Sequence, residues 1–469
     1  MDILFTGKEP TIMPREIKPD GDLRFEGFAS YPNSAAFSGE SGLLEYAENI
    51  EINEGVIIPR LGSIVAGNAG AAVEYACSAS GPSGDSILLW GANKRFNCQS
   101  GAFTSLSLAA KQKARGQGYA DALTLETLDS DWVAGGNITE RLVTAKDDRI
   151  RFSLYTGNLP YEPDDLRLVQ GTYDPILALV TSTNSMLAFG KRSIYKVKAG
   201  LGRQANFDRK PNEAVFHTSV KISSTDGLSA KDGWAETMGQ LAFMDVDGIK
   251  VMKGDEYMEG SAPISYLIQN IIDLIDPSKF ADITAVGLRG RIYFSLPLLG
   301  SYNKTCVLVM NLGNKMPFES LHVYPTSMDI LCLGRKNGIV RLWGVNKANG
   351  TVHLLDEGNT DAGTSIQATM RTRNYFMQSH SDKKYDDCYL YLDTRGSVSL
   401  DMNFISVNPD GKWTLDTFNG NLGTAVRRAL ANKKCMGGKL EIVVKSGNPT
   451  IFSMGVEGSL VGRSIFSSF

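Results

Sequence analysis

Short runs of alternating apolar and polar residues, separated by Gly, Asn, Asp and Ser, make up most of this chain. Alternation with a period of two, bounded by turn-forming residues, is typical of antiparallel strands joined by tight turns. Residues 264–275 have helical spacing instead and predict one helix with a single apolar stripe between two prolines. Weaker helical patterns cover residues 105–113 and 424–434. The pattern as a whole predicts a mainly β protein.

A hairpin pattern recurs along the chain: an apolar strand, a tight polar turn, and then an isoleucine that opens the next strand. The recurring residues, after a looser copy at Phe96, are Ile150, Ile194, Ile249, Ile292 and Ile339. Repeats of about 40 to 55 residues with about four strands each are typical of β-propeller blades, which bury their faces against neighbouring blades. The pattern predicts a five- or six-bladed β-propeller. An all-β chain of ordinary hairpins is the alternative.

The pattern changes on both sides of these repeats. Beyond about residue 361 the alternating strands become longer, which suits a small β-sandwich. The first 70 residues are rich in Gly, Pro and Ser, and indicate an extended arm that joins another sheet. The predicted organisation is an N-terminal arm with strands joining the platform over 1–71, a β-propeller over 72–360 with possible loop insertions at 101–140 and 200–222, and a C-terminal β-sandwich platform over 361–469.

Composition narrows the function classes. Lys and Arg number 48 against 51 Asp and Glu, a net charge of −3, so no positive excess favours sequence-specific binding to nucleic acid. The six cysteines are too far apart for a C-x-x-C site and too few for a disulfide scaffold, which predicts buried small side chains. The chain has no long apolar run and no signal-peptide pattern, so we expect a soluble protein without a membrane anchor, made in the cytosol.

The sequence contains few patterns that indicate chemistry. It has no G-x-S-x-G elbow and no phosphate-binding loop. Asp245 and Asp247 resemble part of a calcium loop, but a hairpin turn explains them. The four histidines do not have the spacing of a metal-binding helix: His217, His322, His353 and His380. We therefore predict no catalytic, cofactor-binding or metal-binding residues, no cofactor, and no enzymatic activity.

Glycoside hydrolysis needs only two carboxylates at the right distance in space, and propellers host such enzymes. Most candidate carboxylates lie at predicted turns, where solvation is the ordinary reason for an acidic residue: Asp147, Asp148, Glu213, Asp245 and Asp247. The five tryptophans are spread along the chain, as core packing would place them, and not clustered as in a glycan site: Trp90, Trp132, Trp234, Trp343 and Trp413. Nothing in the sequence singles out one carboxylate pair.

Five segments together resemble one family. Residues 46–62 contain an Asn, a Gly-containing turn and the Arg-x-Gly sequence Arg60-Leu61-Gly62, and residues 177–195 end in an R-S-I-Y hairpin. Residues 227–251, the pattern at 290–297 and the strands at 447–457 follow in the same order. Together they resemble the tail nozzle proteins of short-tailed bacteriophages, also called tail tubular protein B or packaged-DNA stabilisation protein. Residues 101–140 and 200–222 do not match the family's pattern.

The resemblance implies a structural virion protein located in the tail and assembled in the cytoplasm of the bacterial host. About six copies would form a homo-oligomeric ring below the portal and its head-to-tail adaptor, retain packaged DNA and conduct it during ejection. Further partners would be a tail fibre, spike or needle protein, with DNA passing transiently and non-specifically through the lumen. The family has no catalytic centre whose residues could be transferred to this chain.

Two other functions stay open. One is a glycan-binding or glycan-hydrolysing β-propeller of a tail fibre or receptor-binding part. The other is a cellular propeller that serves as a protein-interaction scaffold, although the W-D and G-H pairs of WD-type blades do not occur in this sequence.

Overall fold

The computed structural model describes residues 20–22, 24–29, 42–80, 84–106, 133–138, 141–155, 158–161, 166–168, 173–181, 185–198, 218–253, 257, 259–314, 316–375, 383–407 and 411–460. Strands dominate these ranges, so the prediction of a mainly β protein is confirmed. Within them, no helix is both long enough and apolar enough to cross a membrane. The greater part of both predicted insertions, residues 107–132 and 200–217, lies outside the described ranges.

The strands fall into three groups along the chain. Those before residue 70 are β1 (Asp20–Asp22), β2 (Gly27–Phe28), β3 (Leu43–Glu48), β4 (Ile50–Asn53), β5 (Val56–Pro59) and β6 (Ser63–Asn68). Those up to residue 253 are β7 (Tyr75–Ala79), β8 (Ser86–Trp90), β9 (Lys94–Asn97), β10 (Phe103–Ser105), β11 (Val133–Ile138), β12 (Arg141–Lys146), β13 (Arg149–Tyr155), β14 (Asn158–Tyr161), β15 (Leu166–Arg167), β16 (Ala178–Thr181), β17 (Met186–Phe189), β18 (Ile194–Lys198), β19 (Thr218–Ser223), β20 (Trp234–Thr237), β21 (Gln240–Asp245) and β22 (Gly248–Lys253).

The third group follows a short helical segment. Its strands are β23 (Thr284–Leu288), β24 (Arg291–Leu298), β25 (Lys304–Asn311), β26 (Phe318–His322), β27 (Ile330–Lys336), β28 (Ile339–Val345), β29 (Thr351–Leu355), β30 (Thr360–Asp361), β31 (Thr364–Ser365), β32 (Ala368–Thr372), β33 (Lys383–Thr394), β34 (Val398–Val407), β35 (Gly411–Gly420), β36 (Gly423–Cys435), β37 (Gly437–Ser446) and β38 (Thr450–Leu460).

The helix predicted over 264–275 is broken into shorter pieces. A 3₁₀ helix spans Ile264–Ile268, the α-helix α1 spans only Gln269–Ile272, and a second 3₁₀ helix spans Pro277–Asp282. Most of the apolar stripe is buried as its spacing predicts, namely Leu267, Ile268, Ile271 and Ile275, while Ile264 and Ile272 are half-buried against the same core. Neither of the first two pieces has a side-chain cap at its N-terminus, and β-branched isoleucines favour helix weakly, so packing of the stripe holds these turns in place.

The second helical prediction, at 424–434, is wrong. This stretch lies inside β36, a strand of 13 residues that pairs with β33 from Gly423 to Cys435. Its Ala, Arg, Leu and Lys residues are good helix formers, but pairing along the whole strand overrides that preference. The third prediction, at 105–113, lies mostly outside the described residues; Ser105 ends β10.

The recurring hairpins are all present, but the pattern slips by one strand along the chain. It joins the second and third strands in the sheets that begin with β7, β11, β16 and β20. It joins the first and second strands, β23 to β24 and β27 to β28, in the last two groups. Four of the marker isoleucines and Phe96 are fully buried, whereas Ile339 is 45% exposed because it opens its strand at the surface.

Seven sheets result from these pairings. Four consist of consecutive strands: β7 to β10, β11 to β15, β16 to β19 and β20 to β22. A ten-stranded sheet, here called the long sheet, has the order β23-β24-β25-β26-β3-β32-β37-β34-β35, with β2 beside β3. A six-stranded sheet, the closing sheet, has the order β27-β28-β29-β6-β30-β31. The other six-stranded sheet, the facing sheet, has the order β36-β33-β38-β5-β4, with β1 beside β38.

The core is continuous between the long sheet and the facing sheet. The ring of Tyr385 on β33 packs on that of Phe404 on β34, with centroids 5.2 Å apart. The prediction of buried cysteines is confirmed, because all six are buried: Cys77, Cys98, Cys306, Cys332, Cys388 and Cys435. Three tryptophans are core residues as predicted, namely Trp90, Trp234 and Trp343. Trp413 is half-buried against the core, and Trp132 lies outside the described residues.

Candidate functional site

A cavity of about 210 Å³ lies where the first strands of four sheets meet. Its walls come from β7, β23, β27 and the start of β20: Tyr75, Ala76, Cys77, Ser78, Asp232, Glu236, Thr284, Ala285, Val286, Gly287, Ile330, Leu331, Cys332 and Leu333. Hydroxyl groups connect these strands. The Leu331 backbone N–H donates to Thr284 Oγ1 and that of Leu333 to Ser78 Oγ, both at 2.9 Å. The cavity therefore has a fixed wall with alternating apolar and polar patches.

Close approach of two strands shapes one side of this cavity. A Cβ on Gly287 of β23 would lie 2.2 Å from the carbonyl oxygen of Glu236 on β20, so no larger residue fits at this position. Earlier in the same strand, the Ala285 N–H donates to the carbonyl of Asp232 at 2.8 Å. These contacts hold the backbone of both acidic residues against β23.

Asp232 and Glu236 are the carboxylates of this cavity. They are four residues apart on extended backbone, which corresponds to about 13 Å along the chain. Glycoside hydrolases hold their two carboxyl groups about 5 to 9.5 Å apart. Burial raises the pKa of Glu236. The sequence did not single out either residue, because each follows an ordinary polar turn or starts an ordinary strand.

The carboxylates weighed from the sequence do not come together. Asp147 sits in the turn between β12 and β13 with a φ of 53° and accepts a hydrogen bond from the Tyr173 hydroxyl at 2.9 Å. Asp148 completes that turn, and Asp247 occupies the exposed turn between β21 and β22. Glu213 lies outside the described residues. None of them lines the cavity.

Asp245 is the exception, because it is buried and not a solvated turn residue. Lys250 Nζ lies 2.9 Å from Asp245 and 2.6 Å from Asp226. The Tyr257 hydroxyl and the Gly260 N–H also donate to Asp226, each at 2.8 Å. Burial would raise the pKa of Asp226, but the bonds from Lys250, Gly260 and Tyr257 outweigh it, so this pKa is lowered. We call this group the Lys250 cluster.

The two histidines within the described ranges do not form a metal site. His322 is fully buried and its Nε2 lies 3.1 Å from the Ile50 carbonyl; burial and the charge of Arg60 hold its pKa well below 6.5. His353 is buried beside Thr326. His217 and His380 lie outside the described residues. Among the described residues no group of three metal-ligating side chains occurs.

Arg60 of the Arg-x-Gly sequence lies in a buried polar junction between three sheets. All five of its N–H donors are used: two on Asp361 at 2.6 and 3.0 Å, and one each on Asn49 and the carbonyls of Leu61 and Val323. Its guanidinium also stacks 4.0 Å above the Tyr324 ring. Two residues on, a Cβ at Gly62 would lie 2.0 Å from the Thr360 carbonyl oxygen. The whole Arg-x-Gly sequence is therefore needed to make this junction.

A second part of the junction holds more acidic groups. Arg291 pairs with Glu319 at 2.8 Å and with Glu51 at 3.2 Å. Burial, reinforced by the charge of Glu51, raises the pKa of Asp356 to about 6, and its Oδ1 is buried without a hydrogen-bond partner in the described protein. Asp356 has a φ of 57°, in the left-handed region that Asn also tolerates. The junction therefore contains one carboxyl group, that of Asp356, whose ionised form is destabilised by burial.

We expect Asp356→Asn to stabilise the protein at neutral pH. Because folding raises the pKa of Asp356, the folded state binds this proton more tightly than the unfolded state does. The cost of ionising the buried group is therefore absent below about pH 4 and is complete above about pH 6. A rise from 3.8 to about 6 corresponds to about 2 to 3 kcal/mol above pH 6. Urea denaturation midpoints of the unaltered chain and of Asp356→Asn at pH 4, 5, 6 and 7 measure this difference in stability. An equal difference at pH 4 and pH 7 would contradict it.

The comparisons with known proteins give distant structural likeness only. No protein-family model and no curated protein matches the chain. A protein assigned to the gluconolactonases is 12% identical, with 70% of this chain and 96% of that chain covered and a TM-score of 0.33. An exo-β-1,3-galactanase from Phanerochaete chrysosporium is 10% identical, with 84% and 100% covered and a TM-score of 0.21. A family 43 arabinoxylan arabinofuranohydrolase from Bacillus subtilis is 7% identical, with 93% and 99% covered and a TM-score of 0.22.

These likenesses correct one expectation from the sequence. The three similar structures are those of enzymes, which contradicts the prediction that the chain has no enzymatic activity. That prediction is withdrawn. At these identities and TM-scores the likeness assigns no substrate and no catalytic residue to this chain.

Proposed function

We propose that this chain is a tail nozzle subunit, a ring-forming virion protein that prolongs the DNA channel below the portal and its adaptor. In this proposal, the first four sheets, the group β23 to β26 and the closing sheet are six propeller blades. The long sheet beyond β26 and the facing sheet form a β-sandwich platform. The N-terminal arm supplies strands to both parts.

Contacts between the first strands support the propeller. β11 packs beside β16, β20 beside β23, β23 beside β27, and β27 beside β7, so the last group of strands lies against the first. Between the sheets that start with β16 and β20, Phe189 packs on Phe243 with ring centroids 5.3 Å apart. A circular order of sheets whose last member touches the first is what a closed propeller requires.

The observation that carries the proposal is the continuity of the long sheet. Its strands run without interruption from β23, the wall of the cavity, to β35 in the platform. The proposed blade and the proposed platform meet within this sheet at the parallel pair β26–β3, where Leu321 lies opposite Glu48. Domains joined by a linker move relative to each other by default, whereas a shared sheet makes one stiff body. A channel wall that retains compressed DNA needs such a body.

Charge and symmetry are compatible with this role. The chain has a net charge of −3, so a passing duplex finds no excess of cations to bind. Identical copies in a ring use heterologous contacts, in which one surface of each copy meets a different surface of the next. The arm over 1–71 and the platform would supply those contacts, and also the contact with the head-to-tail adaptor. A tail fibre, spike or needle protein would attach further along the tail.

Native mass spectrometry and negative-stain imaging of the purified chain, alone and mixed with a portal–adaptor ring, test the proposal. We expect about six copies to join the adaptor as a coaxial ring. A chain that never joins such a ring at micromolar concentration contradicts the proposal.

The cavity supports a second candidate function, a glycan-binding propeller, whereas the backbone spacing of Asp232 and Glu236, about 13 Å, exceeds the separation that glycoside hydrolysis needs. The supporting observation is that Asp232 and Glu236 line a space of about 210 Å³ together with the apolar walls described above. Thermal shift with a panel of soluble glycans tests it. We expect Glu236→Gln to abolish the shift and Asp247→Asn, a carboxylate in an exposed turn, to preserve it. No signal from the unaltered chain on any glycan would reject this candidate.

A further inference from the structure

The outer edge of the facing sheet is long and carries exposed apolar side chains. Within the described residues β36 pairs with β33 alone, so its other edge presents unpaired backbone N–H and C=O groups. Val426 is 56% exposed and Leu430 is 78% exposed on this strand. An edge strand with exposed apolar side chains tends to pair with another strand where charges, prolines or a covering segment do not prevent it.

The apolar surface extends from this edge across the neighbouring strands. Val426 lies opposite Tyr391 of β33, and the Tyr391 ring stacks on Phe452 of β38 with centroids 4.8 Å apart. Asn432, with a φ of 42°, lies at a shift in the pairing register, so the strand bends there. The regular edge therefore runs from Gly423 to Ala431, with Val426 and Arg427 near its middle.

The charges of this edge restrict its partner. The strand Gly423–Cys435 contains four basic residues and no carboxylate. Arg427 is neutralised within the chain, because Asp416 on the adjacent edge strand β35 pairs with it. Arg428 is exposed and lies 3.7 Å from Glu457. A second copy of β36 can pair with this edge only in a register that keeps the arginines of the two strands apart.

An antiparallel register centred on Val426 satisfies this condition over residues 423–429 of β36. When Val426 lies opposite Val426 of the second copy, Arg428 faces Thr424 and Arg427 faces Ala425, whereas a centre at Ala425 shortens the ladder to residues 423–427. Moving the centre to Arg427 or Arg428 places like charges opposite each other, which destabilises a pair of strands. Moving it to Ala429 brings the bend at Asn432 into the ladder.

We propose that the purified chain associates through β36 with a second copy, antiparallel and centred on Val426. The contact is isologous, since the same edge is used by both copies, and it makes the two facing sheets one continuous sheet. β35, the outermost strand of the long sheet, lies beside β36 and also has one unpaired edge within the described residues. This pairing concerns the chain before any ring forms, so it does not depend on the proposed function.

Disulfide trapping in the full chain tests the register. All six native cysteines are buried, so Val426→Cys adds an accessible thiol. In the proposed register the introduced thiols of the two copies face each other, and mild oxidation is expected to give a covalent dimer in high yield. Arg428→Cys on the same strand places its two thiols about 13 Å apart, beyond the reach of a disulfide. Val246→Cys, at a turn where Val246 is 69% exposed, controls for random collisions.

Solution mass gives the second readout. We expect twice the chain mass of 51.0 kDa at micromolar concentration, at least a tenfold weaker dimer for Val426→Lys, and unchanged association for Val246→Lys. A monomer at all concentrations overturns the pairing, as does trapping through Arg428→Cys in place of Val426→Cys. A six-copy ring in which Val426→Cys is not trapped overturns the pairing and leaves the proposed function standing.

Discussion

Arg60→Lys is expected to lower the free energy of unfolding by about 3 to 5 kcal/mol, because the three donors of a lysine leave at least two buried acceptors without a partner, and each such group costs about 1 to 3 kcal/mol. Lysine keeps the charge but has three donors on one nitrogen, whereas Arg60 directs its five donors at Asp361, Asn49 and two backbone carbonyls. Urea denaturation followed by tryptophan fluorescence measures the loss.

The matched control is Arg395→Lys, since the Arg395 side chain is 86% exposed and its pair with Asp393 has little effect on stability. We expect a change of less than about 0.5 kcal/mol there. Asp361→Asn keeps the shape of the junction and should reproduce most of the Arg60→Lys loss. If Arg60→Lys and Arg395→Lys cost the same, the junction does not depend on the geometry of the guanidinium group.

Lys250→Met should cost a similar amount, about 3 to 5 kcal/mol at pH 7, because Asp226 and Asp245 would remain buried without their cation. The sign of the pH dependence follows from the same contacts. Lys250 is the first of the contacts that lower the pKa of Asp226 against the effect of burial, so without Lys250 this pKa rises in the folded state and the variant regains stability as the pH falls and Asp226 protonates. The loss should therefore be smaller at pH 4.5 than at pH 7.

Lys279→Met provides the comparison for that experiment. The Lys279 side chain is 62% exposed and its ammonium group lies 3.9 Å from Asp276, so little stability is expected to depend on it. A Lys250→Met loss that does not change between pH 4.5 and pH 7 would mean that the two aspartates are not the cause.

Local patterns in the sequence predicted the strands well, because alternation and turn residues act over a few positions. The marker residue that opens the second strand of each hairpin, an isoleucine in five copies and Phe96 in one, correctly located six strand pairs, and five of the six markers are fully buried. The slip by one strand could not be predicted, since an isoleucine after a turn looks the same in the second strand of a sheet as in the third. β36 was mistaken for a helix because its apolar positions also fit a period near four.

Contacts between distant residues account for what the sequence left undetermined. Arg60 and Asp361 are 301 positions apart, and neither has a neighbour in the chain that indicates the other. Asp245 was interpreted as a turn residue because Asp-x-Asp-Gly is a common turn; the lysine that makes it a buried residue lies across the hairpin. Asp232 and Glu236 belong to the cavity only because β20, β23 and β27 converge there.

The early strand β6 has a consequence for how this chain acquires its fold during synthesis. Its ladder partner is β29, and Asn68 donates to the Thr351 hydroxyl 283 positions later. At about 5 to 20 residues per second, a ribosome needs tens of seconds to supply that partner. Until then both edges of β6 are unpaired, and the strand contains no charged residue that would prevent pairing with another chain. Ile64 and Val65 stay exposed even in the folded protein. Completion of the closing sheet is therefore a late step of synthesis, because β6 must wait for β29 and β30.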